Sequence, residues 1–564
     1  MDTSFWFVAP DISSTLGDNP INLHVQTYNQ AATVYVRQPA NLGGVNATLT
    51  IPANTVQVLN LTSSLTSVES APVKTVTNKG IYISSNNNVS VYYSIGAANN
   101  KEMISLKGQR AKGDDFYIPI PNTLTTAVTP TNGGVGFDIV ATGTGVTVLL
   151  ITPRAACISR AKNVTFAVNL NQGETFSVRD NNAVNPSELA GSIVSANKDI
   201  CVTVSGMVRN TSTACVSYFA DQITTSDDLG KHYVILRGDG NVDMAYVLAT
   251  VNSTSLQITS GGSTVNTMIS FGETYSVDVN APMSYINSTQ PIYVLHTSAY
   301  GCKFSGAQVP PAFCAGSYTS AFTRLSSDSL NLNLVTRTGF QNTFTLTSDG
   351  TNVPILGSSF TVVPGSSGAL VAAKLYFPTS SIAVGSHNRL SNNQDLFGVG
   401  VINGSTGGGS AYAYGSEFGS SAFVIANSVP SATICSNTTY TLNGLIGGGP
   451  ITGFWTSTGL GTLSGPNTQI INNIYTPNVL DTVIDPLIFT LNSSGLCPNV
   501  SNSFSLFVQQ APIVNAGIDQ TICSNNATVQ LNGNVLGPTN QGIWNVVAPG
   551  NGTFLPNVSV LNPT

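Results

Sequence analysis

Charged residues are scarce in this chain, at 8% of its 564 residues, and the net charge is only −6. A typical soluble domain carries about 25% charged residues, so Asn, Ser, Thr and Gly must form most of the polar surface here. The Lys and Arg residues form no block, whereas a protein that follows nucleic acid needs a continuous basic surface. Nucleic acid is therefore not an expected partner.

Long apolar runs and amphipathic helical stretches are also missing. Residues 146–152 form one of the longest apolar runs, far short of the roughly 20 residues that a bilayer-spanning helix needs. We therefore expect no direct membrane insertion. Residues 1–6 lack the charged and apolar regions of a signal peptide, so for a secreted protein we expect the signal to have been removed ahead of Met1.

The sequence is rich in strand periodicity. Short runs of β-branched and aromatic residues alternate with polar ones and are separated by turns of Gly, Asn, Pro and Ser. Thr33–Arg37, Ser90–Ser94 and Ile292–His296 are examples. This pattern predicts an all-β fold of tandem β-sandwich-like repeats.

Four loose copies of one unit precede residue 425. Each opens with an apolar strand and later returns through an Asn/Ser-rich turn into a second apolar strand; the opening strands are Leu23–Thr27, Phe137–Ala141, Ala245–Ala249 and Leu330–Thr336. We predict a head of about four β-repeats over residues 1–425, with approximate bounds 1–122, 123–237, 238–325 and 326–425. Independently folding sandwiches would suit mechanical duty, and a pseudo-symmetric, propeller-like packing is the alternative.

A sharper repeat follows the head. Thr433-Ile-Cys435 recurs as Thr521-Ile-Cys523, and Trp455 has its counterpart in Trp544. We predict an Ig/PKD-like module over 426–510 and a second, truncated one over 511–564. Because the second copy ends before a counterpart of Cys497, we expect the natural chain to continue past residue 564.

The cysteines predict disulfides in an oxidising compartment. Cys435, Trp455 and Cys497 have the order of an immunoglobulin-like sandwich, in which the Trp packs on an inter-sheet disulfide. Cys302 and Cys314 flank a Pro-Pro loop, so we predict that they pair. Among Cys157, Cys201 and Cys215, the pair Cys201–Cys215 is preferred, and the partner of Cys157 stays open.

Motifs for catalysis are absent from the sequence, which has neither a nucleophile elbow nor a phosphate-binding loop. We therefore predict a non-enzymatic protein. Asp239, Asn241 and Asp243 have the oxygen spacing of a calcium loop but lack its later Gly and Glu. A plain hairpin turn is the preferred interpretation, calcium is the alternative, and no other cofactor is expected.

Paired acidic residues stand just before strands at equivalent places in two repeats. These pairs are Asp114–Asp115 and Asp227–Asp228. Their recurrence favours a role in turns or in protecting strand edges, with catalytic acids as the alternative interpretation.

Several segments resemble one family of surface proteins. Residues 5–13, 38–41, 51–54, 80–84, 101–121 and 301–317 are similar to the IgGFc-binding-protein-like N-terminal region of large Bacteroidota surface proteins, and Asn515–Cys523 resembles the start of the PKD-like repeats that follow there. The resemblance implies export by the type IX secretion machinery, a place on the outer cell surface, and adhesion, in some members for gliding motility. It also implies O-glycosylation at Asp-Ser/Thr-apolar triplets, here at Ser329 and Thr482.

The function expected from these observations is that of a bacterial cell-surface adhesin which binds an extracellular glycan or protein ligand. One alternative is the non-catalytic binding region of a secreted polysaccharide-degrading enzyme. A structural spacer of a surface filament is the other. The sequence does not identify the ligand or say whether immunoglobulin is bound, because sandwich loops bind many chemistries.

Overall fold

The fold is described from a computed structural model, which covers the chain except residues 13–18, 97–99, 128–133, 158–159, 182–186, 210–214, 241–242, 407, 420–422, 449–451, 496 and 498, and the side chains of 126 and 299. The described residues confirm the all-β prediction. Their one α-helix is a single turn, α1 (Leu65–Val68), and short 3-10 turns lie at Thr62–Ser64, Gly108–Ala111, Ser226–Asp228, Gly357–Ser359 and Val479–Val483. The chain divides into two compact units, Met1–Ser421 and Ala422–Thr564.

The first unit contains four successive groups of strands, which we call repeats one to four. Repeat one comprises β1 (Asp2–Phe7), β2 (Ile21–Thr27), β3 (Ala32–Arg37), β4 (Asn46–Ile51), β5 (Val56–Asn60), β6 (Ile81–Ile95) and β7 (Glu102–Ser105). Repeat two comprises β8 (Gly113–Tyr117), β9 (Thr125–Thr126), β10 (Gly136–Ala141), β11 (Thr147–Thr152), β12 (Phe166–Leu170), β13 (Thr175–Arg179), β14 (Ile193–Arg209) and β15 (Val216–Ile223).

The other two repeats follow the same plan. Repeat three comprises β16 (Gly230–Leu236), β17 (Asp239–Gly240), β18 (Met244–Ala249), β19 (Thr254–Ser260), β20 (Ser263–Ile269), β21 (Thr274–Asp278), β22 (Met283–Gly301) and β23 (Lys303–Gln308). Repeat four comprises β24 (Thr319–Phe322), β25 (Ser329–Arg337), β26 (Phe344–Ser348), β27 (Thr351–Val353), β28 (Thr361–Val362), β29 (Leu370–Phe377), β30 (Asn388–Asn392), β31 (Phe397–Ser405) and β32 (Gly409–Tyr414).

One long strand joins both layers of each of the first three repeats. In repeat one, the first part of β6 pairs with β1 and β3, and the second part pairs with β2 and β7. β14 and β22 do the same in repeats two and three. In repeat four the equivalent strand is divided into β30 and β31.

The predicted Asn/Ser-rich turn is therefore wrong for the first three repeats, where the polar residues lie inside one continuous strand. They mark the point at which the strand passes from one layer to the other. There the side-chain oxygens of Asn86 and Asn197 each accept an N–H of the adjoining outer strand, from Thr33 and Val148, at 2.8 Å. Short polar side chains can replace a ladder bond in this way, so a strand crossing and a turn look alike in sequence.

The four repeats close into a ring. Contacts join β7 to β15, β15 to β23, β23 to β32, and β32 back to β7. Repeats one and four also share an ion pair between Lys101 and Asp328 and a hydrogen bond of 2.7 Å from the Tyr92 hydroxyl to the carbonyl of Ala321. A closed ring leaves none of these inner strands as an open edge.

Each repeat completes the apolar core of the one before it. Met207 and Tyr218 of repeat two pack in the core of repeat one, and Leu295 and Phe304 of repeat three pack in that of repeat two. Tyr412 and Phe418 extend the core of repeat three, and Tyr92 and Met103 of repeat one extend that of repeat four. The apolar cores of the repeats are therefore continuous around the ring.

The sheets begin earlier than the predicted repeat bounds. β8, β16 and β24 fall inside the predicted ranges 1–122, 123–237 and 238–325, yet each pairs with the long strand of the following repeat. The predicted bounds follow the opening strands β10, β18 and β25, and therefore place β8, β16 and β24 in the preceding repeat.

The second unit contains one sandwich and one less regular segment. Its strands are β33 (Phe423–Ile425), β34 (Ser431–Cys435), β35 (Tyr440–Asn443), β36 (Leu445–Gly447), β37 (Thr452–Ser457), β38 (Thr462–Leu463), β39 (Ile471–Thr476), β40 (Leu487–Ser494), β41 (Ser501–Gln509), β42 (Ile513–Asn515) and β43 (Asn534–Leu536). Two of its sheets, β34-β41-β40-β37 and β35-β39-β38, contribute to a core centred on Trp455. The indole N–H of Trp455 donates to the carbonyl of Ile470 at 3.3 Å, and that of Trp544 donates to Leu561 at 3.2 Å, which relates the two segments.

Candidate functional site

Three inner strands of the ring meet at a buried carboxylate, Glu102 on β7. Its oxygens accept the N–H of Met103 at 2.9 Å, the N–H of Ala220 on β15 at 3.1 Å, and the hydroxyl of Ser305 on β23. Burial raises the pKa of Glu102 well above its ordinary value, while these donors oppose the rise. We call Glu102, Lys107, Asp221, Gln222, Ser305 and Gln308 the ring hub.

A buried ion pair lies beside Glu102 in the ring hub. The Lys107 ammonium is 2.8 Å from a carboxylate oxygen of Asp221, and the other oxygen accepts the N–H of Gln308 at 2.8 Å. Burial lowers the pKa of Lys107 and raises that of Asp221, and their mutual attraction opposes both shifts. Because these groups are satisfied by one another and lie out of contact with solvent, the ring hub fixes the repeats in register.

The calcium candidate residues have separate partners. The carboxylate of Asp239 accepts from the ammonium of Lys374 and the hydroxyl of Tyr376, both at 2.7 Å. Asp243 points inward, where it contacts His296 and accepts the N–H of Gly238 at 2.7 Å. Asn241 lies outside the described residues, and no group of three His, Cys, Asp or Glu among those described could hold a metal ion.

The disulfide predictions are corrected by an observed bond between Cys215 and Cys302, whose Cα atoms are 6.0 Å apart. This bond excludes both Cys302–Cys314 and Cys201–Cys215. β23 carries the chain away from Cys302 by about 20 Å before Cys314, and Cys201 lies at the opposite end of the β14–β15 hairpin from Cys215. Spacing along the chain favoured local pairs, whereas the observed bond joins the hairpin tips of repeats two and three.

The Cys435–Cys497 prediction is also wrong, because Cys435 is a free thiol. Cys435 ends β34, which pairs in parallel with β41, and Cys497 lies in the connection between β40 and β41. Neither residue is therefore on the facing central strands that the immunoglobulin-type bond joins. Trp455 packs instead against Phe504, with ring centroids 6.3 Å apart. Cys157 and Cys201 are free and buried.

The two O-glycosylation candidates differ in accessibility. Ser329 is exposed at the first position of β25. Thr482 is half-buried in a 3-10 turn, and its hydroxyl donates to the carbonyl of Val479 at 2.9 Å. Asp481 beside it is buried and accepts from the hydroxyl of Tyr475 at 2.6 Å. Modification at both residues stays a prediction, and Ser329 is the better exposed of the two.

The paired acidic residues contact neighbouring structural groups. The carboxylate of Asp115 accepts from the Ser195 hydroxyl at 2.9 Å, which is an internal bond of repeat two. Asp228 forms an ion pair with Arg110 at 3.3 Å. Asp115 and Asp228 therefore connect the first strands of repeats two and three, β8 and β16, to neighbouring residues.

An open groove lies between repeats one and four. Its described lining is mostly uncharged, and it measures about 460 Å³; we call it the amide groove, formed by Met1, Thr3, Tyr28, Asn29, Gln30, Asn86, Asn87, Asn88, Thr319 and Arg389. Arg389 is held by its Nε–H, which donates to the Thr319 hydroxyl at 3.2 Å, and its guanidinium lies 6.0 Å from the ring centre of Tyr28.

Some side-chain amide atoms of this groove are already hydrogen-bonded within the protein, and others are not. Asn86 uses its oxygen to accept the N–H of Thr33, and Asn87 uses its nitrogen to donate to Ala31, both at 2.8 Å. The nitrogen of Asn86 and the oxygen of Asn87 have no partner among the described residues. Together with Asn29 and Gln30, which are exposed, they offer donors and acceptors to an uncharged polar ligand. The sequence does not predict this groove, because its two walls are more than 200 residues apart in the chain.

In the described part of the chain, no helix has both the length and the apolar character needed to cross a membrane.

Comparisons with solved structures give immunoglobulin-domain chains. The insect immune protein hemolin aligns over 59% of this chain and 91% of its own, at 9% identity and a TM-score of 0.17. The N-terminal eight Ig domains of Down Syndrome Cell Adhesion Molecule isoform 1.30.30 align over 96% of this chain and 65% of their own, at 10% identity and a TM-score of 0.15. Immunoglobulin domains 1–5 of Sidekick-1 align over 91% and 100%, at 10% identity and a TM-score of 0.14. Since these scores are far below 0.5, nothing about function follows from them.

No curated protein matches the chain. The sequence model of the family described as IgGFc binding protein matches residues 102–403, which begin at Glu102 of the ring hub and end in β31. The match spans more than half of the chain and includes the last strand of repeat one, all of repeats two and three, and most of repeat four, so this chain belongs to the IgGFc binding protein family.

Proposed function

We propose that this protein is a non-enzymatic adhesin of the bacterial cell exterior, whose four-repeat ring binds an uncharged polar ligand, a glycan or a protein surface, in the amide groove. The observation that carries the proposal is the groove itself, where amides of repeat one face Thr319 and Arg389 of repeat four. Family membership supports a binding role. The resemblance to Bacteroidota surface proteins supports export by the type IX machinery and a part in attachment or gliding.

The closed ring favours binding over catalysis. The ring hub is buried and its ionisable groups have partners, since Lys107 and Asp221 pair with each other and Glu102 accepts from backbone N–H groups and the Ser305 hydroxyl. The amide groove contains donors and acceptors but, among its described residues, neither a carboxylate nor a histidine to act as a base. A groove of this kind suits reversible recognition, in which each hydrogen bond contributes about 0.5–1.5 kcal/mol.

The test measures retention of the full chain on an array of neutral glycans, extracellular matrix proteins and the Fc fragment of immunoglobulin G. We expect at least one ligand class to be retained. The double variant Asn29→Ala/Asn88→Ala should weaken that ligand about 5- to 150-fold, the sum of two lost hydrogen bonds. Asn46→Ala, an exposed amide on β4 of the same repeat, is the matched control and should leave affinity unchanged.

Two results would overturn the proposal. One is retention that the groove variant leaves unaltered, which would place the ligand elsewhere on the chain. The other is release of reducing ends from any polysaccharide incubated with the purified chain, since that would show catalysis.

In the source bacterium, deletion of residues 1–421 should reduce attachment to surfaces.

A further inference from the structure

Basic side chains are rare in this protein, yet three of them line one small cavity in the unit Met1–Ser421. The chain has 20 Lys and Arg residues among 564, and Lys74, Arg160 and Arg179 line a cavity of about 240 Å³ together with Cys157, Phe166 and Phe176. We call this the cationic cavity. A surface formed mostly by uncharged polar residues does not need such a concentration of positive charge, so the cluster requires a physical explanation.

The cations of the cavity are held in place by surrounding residues. The guanidinium of Arg160 lies 4.6 Å from the ring centre of Phe166, a cation–π contact that fixes its orientation. Lys74 adopts a positive φ of 65° and its N–H donates to the carbonyl of Ser177 on β13 at 3.3 Å. A non-glycine residue in this conformation is uncommon and is maintained by its surroundings.

The two exposed cations of this cavity, Lys74 and Arg160, are not paired with the carboxylates nearby. Asp138 is paired with Arg179 at 2.8 Å and also accepts from the Ser177 hydroxyl at 2.6 Å. Asp180 is buried next to the Cys157 backbone, and Asp11 is a third carboxylate near Arg179. Neither Lys74 nor Arg160 forms an ion pair with a described residue. An anionic ligand could therefore pair with Lys74 and Arg160 without displacing a carboxylate from either side chain.

A buried donor in the cavity also lacks an acceptor. Arg179 is 1% exposed, and its NH1 and NH2 groups donate to Phe137, Val178 and Asp138, but its Nε–H has no partner. An unsatisfied buried donor costs about 1–3 kcal/mol. An anion in the cavity would add negative charge beside this donor and beside the two unpaired cations.

The shape and lining restrict the ligand. The cavity is smaller than the roughly 300–1,000 Å³ of pockets for drug-sized ligands, so it suits one charged unit. The guanidinium of Arg160 can bind a carboxylate or sulfate through two parallel hydrogen bonds, and Phe166 and Phe176 supply an apolar wall for a sugar ring. We propose that the cationic cavity, which lies between repeats one and two, binds the carboxylate or sulfate group of an acidic sugar residue, at a site separate from the amide groove.

The experiment is isothermal titration calorimetry of the full chain with glucuronic acid, a sulfated glucose, unmodified glucose and inorganic sulfate. We expect the two acidic sugars to bind at least tenfold more tightly than glucose, and the sulfated sugar to bind at least tenfold more tightly than sulfate. Affinity for both acidic sugars should fall as salt is raised from low to physiological concentration, because the attraction is electrostatic.

Variants separate the cavity from general charge effects. Lys74→Gln/Arg160→Gln should reduce affinity for the acidic sugars at least tenfold without changing the melting temperature, because both side chains are exposed. Lys162→Gln removes an exposed charge two residues away, where Lys162 pairs with Glu188 at 3.3 Å, and should leave affinity unchanged.

Four results would overturn the inference. These are no binding of either acidic sugar, equal binding of glucose, equal binding of inorganic sulfate, and an equal loss of affinity in the Lys162 variant. The amide groove lies in repeats one and four and its variants test a different ligand, so failure of either proposal can be distinguished from failure of the other.

Discussion

At the scale of single residues, the protein buries ionisable groups in spite of having few of them. Glu102, Lys107, Asp221 and the pair Asp138–Arg179 are all withdrawn from solvent. Removing one partner of a buried ion pair costs about 3–5 kcal/mol, because the other charge is left without compensation. The scarce charges therefore include several that fix how the inner strands pack.

His24 gives a prediction at this scale. Burial lowers its pKa from 6.5 to about 4, and its Nε2 is 2.8 Å from the hydroxyl of Ser94. Between pH 6.5 and pH 4 the unfolded chain takes up a proton at this position and the folded chain does not. The free energy of unfolding therefore falls with decreasing pH in this window, by up to about 3 kcal/mol for this residue.

The variant His24→Gln cannot ionise and can still bond to Ser94. We expect its stability to fall less than that of the natural protein between pH 7 and pH 4, as measured by urea unfolding at each pH. The half-buried His232 and the buried His387 also have lowered pKa values, so only the difference between the two curves is attributed to His24. Parallel curves would contradict the assignment.

At the scale of elements, the outer and inner strands of each repeat differ in how well sequence predicts them. β3 and β4 alternate buried and exposed residues, which is the signal that predicted strands here. β10 and the second part of β14 are buried on both faces, so they resemble short apolar runs with no preferred face. The all-β class was therefore predictable, but the layer of each strand was not.

The ring hub and the amide groove could not be predicted from the sequence, for a different reason. Two segments that resemble the IgGFc-binding-protein-like region, Lys101–Pro121 and Gly301–Ser317, contain Glu102, Lys107, Ser305 and Gln308 of the ring hub. Asp221, the partner of Lys107 and Gln308, lies 100 residues from the first segment and 80 from the second. Without alignments or coordinates, nothing in the chain connects residues that meet only when the ring closes.

The disulfide Cys215–Cys302 gives a prediction at the element scale. It joins the tips of the β14–β15 and β22–β23 hairpins, whose residues are separated by 87 positions. Cross-links of this kind stabilise a protein by about 2–5 kcal/mol, chiefly by restricting the unfolded chain. We expect Cys215→Ser/Cys302→Ser to lower the free energy of unfolding by that amount, as measured by guanidinium unfolding.

Reduction supplies the control for this prediction. Adding dithiothreitol should destabilise the natural protein by at least as much as the double substitution, because it also reduces the disulfide-bonded Cys314 and Cys497. The double variant should lose less stability on reduction than the natural protein does. If the double variant were as stable as the oxidised natural protein, the link would have no role in holding repeats two and three together.

At the scale of the whole molecule, the ring changes the expected mechanical behaviour of the head. Sandwiches arranged in a row unfold one by one, which is the behaviour that the repeat pattern suggested. In the unit Met1–Ser421, however, each repeat contributes side chains to the core of its neighbour and repeat four returns to repeat one. Unfolding of any one repeat would expose part of the core of another.

Calorimetry of the full chain tests this consequence. Unfolding enthalpy is about 0.7 kcal/mol per residue near 60 °C, so the unit of residues 1–421 should unfold in one transition of about 300 kcal/mol. Four independent repeats would instead give several transitions of about 70 kcal/mol each. The Lys101→Ala variant, which removes the ion pair with Asp328 where the ring closes, should shift the whole transition to lower temperature. Should the variant instead split off one small transition and leave the rest unmoved, repeat four would be shown to fold as a separate domain beside an open array.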